Sequence, residues 1–252
     1  MKWKKIQKLP PEKLLSKSAT KNYIVLGASS SIGLPVCKAI LNDGHRVIAH
    51  INSRNKELVT LCEQFPYQLR ILRKNFLDED FIFEDKTFVN LDAVHGILHC
   101  PSLPLEIKST LKTNWSEIDD NMKIQIKSLH ALILCLSKLK LLNKTRLVVI
   151  NSEVSTITPP PKGFLSYAIP KIALDAFCRL IGNEFNNKII VNQISASMFE
   201  SNLISNVPTF VKEQNNVGAL RPEVEIFNLV YYLLFEASEN EINQNLSISS
   251  DL

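Results

Sequence analysis

The sequence predicts an α/β protein built on a doubly wound parallel sheet. Short β-branched and apolar runs alternate with longer segments of helical periodicity from about residue 22 to the chain end. The first run leads into a glycine-containing turn and then an apolar helical pattern. Because strands and helices alternate, we expect about seven parallel strands with helices on both faces, in three α/β/α layers.

The individual elements follow from the same patterns in chain order. Strands are expected at residues 23–26, 44–51, 69–72, 93–99, 146–151, 189–194 and 246–249. Helices are expected at residues 33–42, 54–63, 115–142, 166–185 and 221–237. Such an order places ligands at the carboxyl ends of the strands.

Composition favours one folded unit. The chain has 252 residues, of which 45% are hydrophobic and 21% charged, and this suits a single domain over residues 21–252. Residues 1–20 form a lysine-rich extension, predicted to be a solvated tail, with docking to an acidic partner as the alternative. The five cysteines form no C-x-x-C pair, and no signal or membrane-spanning run is apparent. We therefore expect a cytoplasmic protein that binds neither membrane, nucleic acid nor metal.

A glycine-containing turn follows the first strand. In the segment GASSSIG, Gly27 would permit a positive φ, and Gly33 would let the following helix pack closely on the strand. The helix N-terminus then offers free N–H groups and a positive dipole end to a pyrophosphate. This turn predicts a nucleotide cofactor site.

A second pattern carries chemistry. Tyr167 and Lys171 are four residues apart in SYAIPK, so a helix places both on one face. The ammonium of Lys171 is then expected to lower the pKa of the Tyr167 phenol and make it a usable proton donor. Pro170 is expected in the first helical turn, which places the helix start near Ser166.

With the turn and the Tyr-x-x-x-Lys pattern, residues 21–252 resemble the short-chain dehydrogenase/reductase family, whose fold is Rossmann-type. Gly27 and Gly33 match the first and third glycines of the family's G-x-x-x-G-x-G pattern, and Ser31 replaces the second. The resemblance implies catalytic roles for Ser152, Tyr167 and Lys171. Ser152 would polarise a carbonyl oxygen, Tyr167 would protonate it, and Lys171 would hold the nicotinamide ribose and keep the phenol acidic.

Two of the implied positions have alternatives. The spacing from Ser152 to Tyr167 is longer than is common in the family, and Ser155 would shorten it. A relay amide in the long helix falls on Gln125 when counted back from the fifth strand, or on Asn121 when counted forward from Trp115. Both alternatives remain open at this point.

The cofactor is expected to be NADP(H). The second strand ends in Asn52, Ser53 and Arg54, with no carboxylate to repel a 2′-phosphate, and Arg54 can form a charge-assisted pair with that group. The complete set of residues expected to contact the cofactor is Gly27, Ser29, Ser31, Ile32, Gly33, Asn52, Ser53, Arg54, Asn75, Phe76, His99, Pro101, Tyr167, Lys171 and Ser201.

The resemblance implies an NADPH-dependent ketoreductase, and a 3-oxoacyl thioester is its best substrate candidate. The basic extension would suit an acidic acyl carrier protein, and family members commonly form homodimers or homotetramers. The alternative is a weak or inactive NADP-binding partner subunit, which departures from the family pattern support and the presence of Ser152, Tyr167 and Lys171 opposes. These departures are Ser31, Asn75, residues 99–102, residues 196–197 and Gln125. A third hypothesis is an isomerase or dehydratase on the same fold.

Overall fold

The computed structural model describes residues 19–197, 199, 202–204, 207, 209, 222–238 and 245–248. Nearly all of the basic extension therefore lies outside the described residues. So does Ser201, which was predicted to contact the cofactor. The predicted boundaries of the single domain stay a prediction.

The described strands form one parallel sheet of seven strands in the order β3-β2-β1-β4-β5-β6-β7. This confirms the predicted doubly wound α/β fold. The strands are β1 (Asn22–Leu26), β2 (Arg46–Ile51), β3 (Leu69–Arg73), β4 (Val94–His99), β5 (Leu142–Ser152), β6 (Ile189–Ala196) and β7 (Asn245–Ile248).

The strand order reverses between β1 and β4. Leu26 at the end of β1 pairs with His99 at the end of β4, so both strands finish at the same level. His99 in turn pairs with Val149, and β5 continues to Ser152. In open α/β sheets a ligand crevice opens at such a reversal, outside the carboxyl ends of the strands.

Helices cover both faces of the sheet. They are α1 (Gly33–Asn42), α2 (Lys56–Gln64), α3 (Trp115–Met122), α4 (Ser128–Lys138), α5 (Leu165–Glu184) and α6 (Glu223–Tyr231). One apolar cluster packs α1, α2 and α6 against the sheet, and a second packs α4 and α5 against the other face. Among the described residues, no helix is both long and apolar enough to cross a membrane.

The long helix predicted for residues 115–142 differs from the observed structure. It is interrupted by a π-helical turn at Lys123–Lys127 and ends at Lys138. Lys140 then adopts a φ of 57°, which ends the helical path. Strand β5 consequently begins at Leu142, four residues before the predicted start, and Leu142 pairs with Val94.

Helix α5 begins at Leu165, one residue before the predicted start. Pro170 therefore lies in the second turn of α5, and its predicted place in the first turn is wrong. Because proline has no N–H, it donates no hydrogen bond to the preceding turn. Tyr167 remains in the first turn, where its N–H donates to the Phe164 carbonyl at 3.0 Å.

Candidate active site

The turn after β1 has the two glycine properties that the sequence predicted. Gly27 has a φ of +81°, and a Cβ there would lie 2.8 Å from the backbone nitrogen of Pro101. A Cβ on Gly33 would overlap the backbone oxygen of Gly27. Ser30 closes the turn, because its Oγ accepts a hydrogen bond of 2.9 Å from the Gly33 N–H. Both glycines are therefore required by the close approach of backbone segments.

His50, near the end of β2, supports this turn and was missed by the sequence analysis. Its Nδ1 accepts from the Gly27 N–H at 3.4 Å, and its Nε2 donates to the Lys74 carbonyl at 2.9 Å. The ring stacks on Phe76 with a centroid separation of 3.8 Å. Burial lowers the pKa of His50 to about 4. The available signal was its position at the strand end where ligands bind.

Phe76 is buried beneath this end of the crevice and packs on Phe81 at 4.9 Å between ring centroids. Asn75 uses its side chain within the turn after β3. Its Nδ2 donates to Asp78 at 2.8 Å, and its Oδ1 accepts from the Leu77 N–H at 3.1 Å. Both residues line the cavity, and their contact with the cofactor stays a prediction.

The end of β2 carries the residues predicted to choose between NADPH and NADH. Asn52 lines the cavity, whereas Ser53 and Arg54 are exposed at its edge and outside the lining. Asn55 caps α2 by accepting from the Leu58 N–H at 2.9 Å. A second arginine lies here, because Arg73 Nε donates to the Asn52 carbonyl at 3.4 Å.

Two of the residues at the end of β4 line the cavity, whereas His99 is buried away from it. Pro101 and Cys100 line the cavity, and the Cys100 thiol donates to the Leu26 carbonyl at 3.1 Å. Burial raises the pKa of that thiol to about 11. His99 is 1% exposed and outside the lining, with Nε2 at 3.4 Å from Ser128 Oγ. Its predicted contact with the cofactor is therefore not supported, because the ring is enclosed on the α4 side of the sheet.

Ser152, Tyr167 and Lys171 meet in the same cavity, where β5 and α5 lie side by side. Ser152 ends β5, and its Oγ accepts from the Val154 N–H at 3.4 Å. Tyr167 lies in the first turn of α5, and Lys171 follows one turn later. The Lys171 ammonium donates to the Ile150 carbonyl at 3.0 Å and lies 5.8 Å from the centroid of the Tyr167 ring.

The direction of the Tyr167 pKa differs from the sequence prediction. Burial raises the pKa of the phenol, and a hydrogen bond with Ser152 opposes this shift. The expected lowering by Lys171 is absent, because that ammonium is bound to the Ile150 carbonyl instead of the phenol. Burial also lowers the pKa of Lys171 to about 8.

The geometry favours Ser152 over Ser155 as the serine beside Tyr167. Ser155 Oγ donates to the Ser152 carbonyl at 2.7 Å and is outside the cavity lining. Its hydroxyl therefore stabilises the short helical turn Glu153–Ser155.

The two candidate relay amides contact each other below the cavity. Gln125 lies in the π-helical turn, is fully buried, and donates from Nε2 to Asn121 Oδ1 at 3.3 Å. Asn121 donates to the Glu117 carbonyl at 3.0 Å. Within the described part of the chain, Gln125 Oε1 has no hydrogen-bond partner. Gln125 thus retains an acceptor for a relay, and its role stays a prediction.

The cavity has a volume of about 420 Å³, within the range of small-molecule sites. Predicted residues in its lining are Gly27, Ser29, Ser31, Ile32, Asn52, Asn75, Phe76, Pro101, Ser152, Tyr167 and Lys171. Beside Tyr167 the wall includes Leu105, Val154, Phe164 and Ile204. These four residues form an apolar cluster with Ala168 and Val207. The Leu105 N–H donates to the Leu203 carbonyl at 2.8 Å and joins two segments over the cavity.

Solved structures share this architecture at low sequence identity. A short-chain dehydrogenase from Burkholderia cenocepacia J2315 in complex with NADP is 15% identical with a TM-score of 0.78, covering 91% of this chain and 96% of that one. A dehydrogenase/reductase from Sinorhizobium meliloti 1021 is 18% identical with a TM-score of 0.78, covering 91% and 94%. A gluconate 5-dehydrogenase from Burkholderia cenocepacia J2315 with NADP and tartrate is 14% identical with a TM-score of 0.75, covering 91% and 94%.

Comparison with curated proteins finds no match. A family model described as Enoyl-(Acyl carrier protein) reductase matches residues 27–245. The match includes the glycine turn and the segment from Ser152 to Lys171. Because it spans most of the chain, the protein belongs to the short-chain dehydrogenase/reductase family.

Proposed function

We propose that the protein reduces a carbonyl group to an alcohol with NADPH. The observation that carries this proposal is the meeting of Ser152, Tyr167 and Lys171 in one cavity. The same cavity extends to the glycine turn, where Gly27, Ser29 and Ser31 line it. A hydroxyl, a phenol and a buried ammonium beside a nucleotide-sized crevice suit general acid catalysis with hydride transfer.

The residues present fit NADP(H). The turn wall consists of Gly27 and small serines, which allow phosphates to approach the backbone and the N-terminus of α1. No carboxylate follows Ile51 before α2, while Arg54 and Arg73 lie at that edge. NADP is bound in the solved short-chain dehydrogenase and gluconate 5-dehydrogenase from Burkholderia cenocepacia. When bound, the cofactor supplies the hydride.

Each catalytic residue has a defined task in the proposed reaction. Ser152 donates a hydrogen bond to the substrate carbonyl oxygen and stabilises the negative charge that develops there. Tyr167 donates its proton to that oxygen as the alcohol forms, so its raised pKa keeps the proton available at neutral pH. Lys171 would bind the ribose of the cofactor. It would also return a proton to the Tyr167 phenolate and regain one from solvent through a relay that Gln125 would help to form.

The substrate class is proposed to be a 3-oxoacyl thioester. The apolar wall of Leu105, Val154, Phe164 and Ile204 suits an acyl chain beside the reacting carbonyl. The matched family description also names an acyl carrier protein. A polyhydroxy acid such as gluconate has less support, because this wall offers it few hydrogen-bond partners.

The remaining proposals concern location and partners. We propose a cytoplasmic protein that forms a homodimer or homotetramer and accepts its substrate on coenzyme A or an acidic acyl carrier protein. The basic extension at residues 1–20 supports the carrier-protein interaction through its charge.

The test is NADPH consumption with a short 3-oxoacyl thioester by wild type, by Tyr167→Phe and by Tyr67→Phe. Tyr67 is 93% exposed and provides the same chemical change away from the cavity. We expect a wild-type rate that falls by about 10²–10⁴ in Tyr167→Phe and is unchanged in Tyr67→Phe. Equal rates in all three proteins would refute the assigned proton donor.

Two further substrates separate the competing readings. A trans-2-enoyl thioester tests reduction of a carbon–carbon double bond, and gluconate with NADP⁺ tests polyhydroxy acid oxidation. Turnover of either in preference to the 3-oxoacyl thioester would overturn the substrate proposal. Tight NADPH binding without consumption across a panel of carbonyl compounds would favour the inactive partner subunit instead.

A further inference from the structure

We propose that Asn151 is a positioning residue, and that a buried chain of side chains running from Asp175 through Gln193 to Asn151 sets the place of Ser152 relative to α5. This inference rests on the proposed reductase function. It assigns Asn151, which itself lines the cavity, the task of holding Ser152 and Lys171 in place.

Asn151 connects the two elements that carry the catalytic groups. Its Oδ1 accepts from the Ser152 N–H at 2.9 Å. Its Nδ2 donates to the Lys171 carbonyl at 3.3 Å and to Gln193 Oε1 at 3.1 Å. Asn151 is 3% exposed, so these bonds are protected from competition with water. One side chain thereby links the end of β5 to α5 and to β6.

Asp175 fixes the orientation of the Gln193 side-chain amide and, through it, that of Asn151. Its Oδ1 lies 2.9 Å from Gln193 Nε2, and its Oδ2 pairs with Arg179 Nε at 2.9 Å. Asn245 Nδ2 on β7 also donates to Oδ1, at 3.0 Å. A carboxylate that receives these donors acts as an acceptor, so Gln193 must present its N–H₂ to Asp175 and its oxygen to Asn151.

The orientation then propagates toward the site. Because Gln193 offers Asn151 an oxygen, Asn151 must present its N–H₂ to Gln193 and to the Lys171 carbonyl. Its oxygen is left to accept from the Ser152 N–H. A flipped amide would place two donors or two acceptors face to face in a buried setting, which costs about 1–3 kcal/mol for each unmet group.

The result is a double attachment of Lys171 to β5. Its backbone carbonyl is held by Asn151, and its ammonium is held by the carbonyl of the preceding residue, Ile150. These bonds set how far α5 is displaced along β5, and hence where Tyr167 lies relative to Ser152. Misplacement by about 1 Å can reduce turnover about a hundredfold.

The experiment compares Asn151→Ala, Gln193→Met and the double variant with Thr145→Val as a matched control. Thr145 is fully buried in the same strand and donates to the Val94 carbonyl at 2.6 Å, at the end remote from the cavity. Three quantities are measured for each folded protein: kcat and KM with their pH dependence, the NADPH dissociation constant, and hydrogen exchange of the Ser152 N–H.

We expect kcat to fall about tenfold or more in Asn151→Ala and severalfold in Gln193→Met, with the double variant close to Asn151→Ala. The pH dependence of kcat should shift in both single variants, and exchange of the Ser152 N–H should accelerate in both. Thr145→Val should lower thermal stability while kcat stays within about twofold.

Additive losses, a wild-type kcat in Gln193→Met, or an equal loss in Thr145→Val would overturn the proposal. Hydrogen exchange separates this proposal from the proposed function. Accelerated exchange at Ser152 in a protein that consumes no NADPH would mean that the chain exists and the reductase function is wrong. Unchanged exchange of the Ser152 N–H in the variants of an active reductase would mean that the reductase function is right and the positioning role of Asn151 is wrong.

Discussion

The ammonium of Lys171 lies 3.0 Å from the backbone carbonyl of Ile150, in a setting where Lys171 is only 3% exposed. A buried ammonium is unfavourable, and burial lowers its pKa to about 8. One carbonyl contact compensates a part of that cost. The site therefore holds a cation whose place is explained by its proposed catalytic task and not by stability.

Replacing Lys171 with methionine should stabilise the fold and abolish turnover. In the unfolded chain the lysine keeps its proton up to a pKa of about 10.4. The folded protein releases it near pH 8, so the unfolded state binds more protons between these values and wild-type stability rises with pH there. Below pH 8 the full cost, roughly 3 kcal/mol, is present.

We therefore expect Lys171→Met to raise the free energy of unfolding at pH 7 by about 1–2 kcal/mol, after subtracting the lost bond to Ile150. Urea unfolding at a series of pH values measures this. The difference between variant and wild type should shrink from pH 8 to pH 10.4. If the difference in free energy of unfolding does not change with pH, then burial does not lower the pKa of Lys171 in the folded protein.

Gly27→Ala should cost much more stability than Gly44→Ala. Both glycines have nearly the same positive φ, +81° and +80°, so the conformational cost of alanine is alike, about 1 kcal/mol. They differ in space, because a Cβ at Gly27 meets the backbone of Pro101 at 2.8 Å and a Cβ at Gly44 meets nothing within 4 Å. Urea unfolding should show about 1 kcal/mol for Gly44→Ala and at least twice that for Gly27→Ala. Equal losses would contradict the role of close backbone approach.

Arg54→Ala should weaken NADPH binding about ten- to a hundredfold and leave NADH binding unchanged. A charge-assisted hydrogen bond to the 2′-phosphate contributes about 1.5–3 kcal/mol, and NADH lacks that phosphate. Lys56→Ala is the matched control, since it removes an exposed cation two residues away at the start of α2. Fluorescence titration with both cofactors measures the ratio of affinities. The prediction fails if Lys56→Ala changes that ratio as much as Arg54→Ala does.

Ser152→Ala should reduce kcat about a hundredfold, whereas Ser155→Ala should change it only a few times. Ser152 lines the cavity, while the Ser155 hydroxyl is bound to the Ser152 carbonyl at 2.7 Å. Steady-state kinetics with NADPH and a 3-oxoacyl thioester tests the difference. The opposite order would assign the polarising hydroxyl to Ser155.

Short-range sequence patterns were sufficient to predict the glycine turn and to place most helix and strand ends within about two residues. Gly27 and Gly33 could be assigned because backbone geometry alone restricts those positions to glycine. The start of β5 could not be assigned, because residues 143–145 are polar and belong to the strand only through pairing with its neighbours β4 and β6. Thr145, which bonds to the Val94 carbonyl, is one of them.

Other features of the site depend on contacts between residues that are distant in sequence and could not be predicted from local patterns. His50 supports Gly27 only because β1 and β2 are adjacent. Asn151 meets Gln193 only in the observed register of β5 and β6. The four-residue spacing correctly placed Lys171 beside Tyr167. It could not predict that the Lys171 ammonium donates its hydrogen bond to the Ile150 carbonyl.

Two titratable side chains, His50 and Cys100, line the cavity wall near the glycine turn. His50, with a pKa of about 4, is neutral at every pH near 7, and the Cys100 thiol, with a pKa of about 11, remains protonated there. Neither side chain gains or loses charge when cellular acidity drifts by a unit in either direction. The wall proposed to meet the cofactor's phosphates therefore presents a constant electrostatic surface, whereas Lys171, with a pKa of about 8, changes charge just above neutral pH.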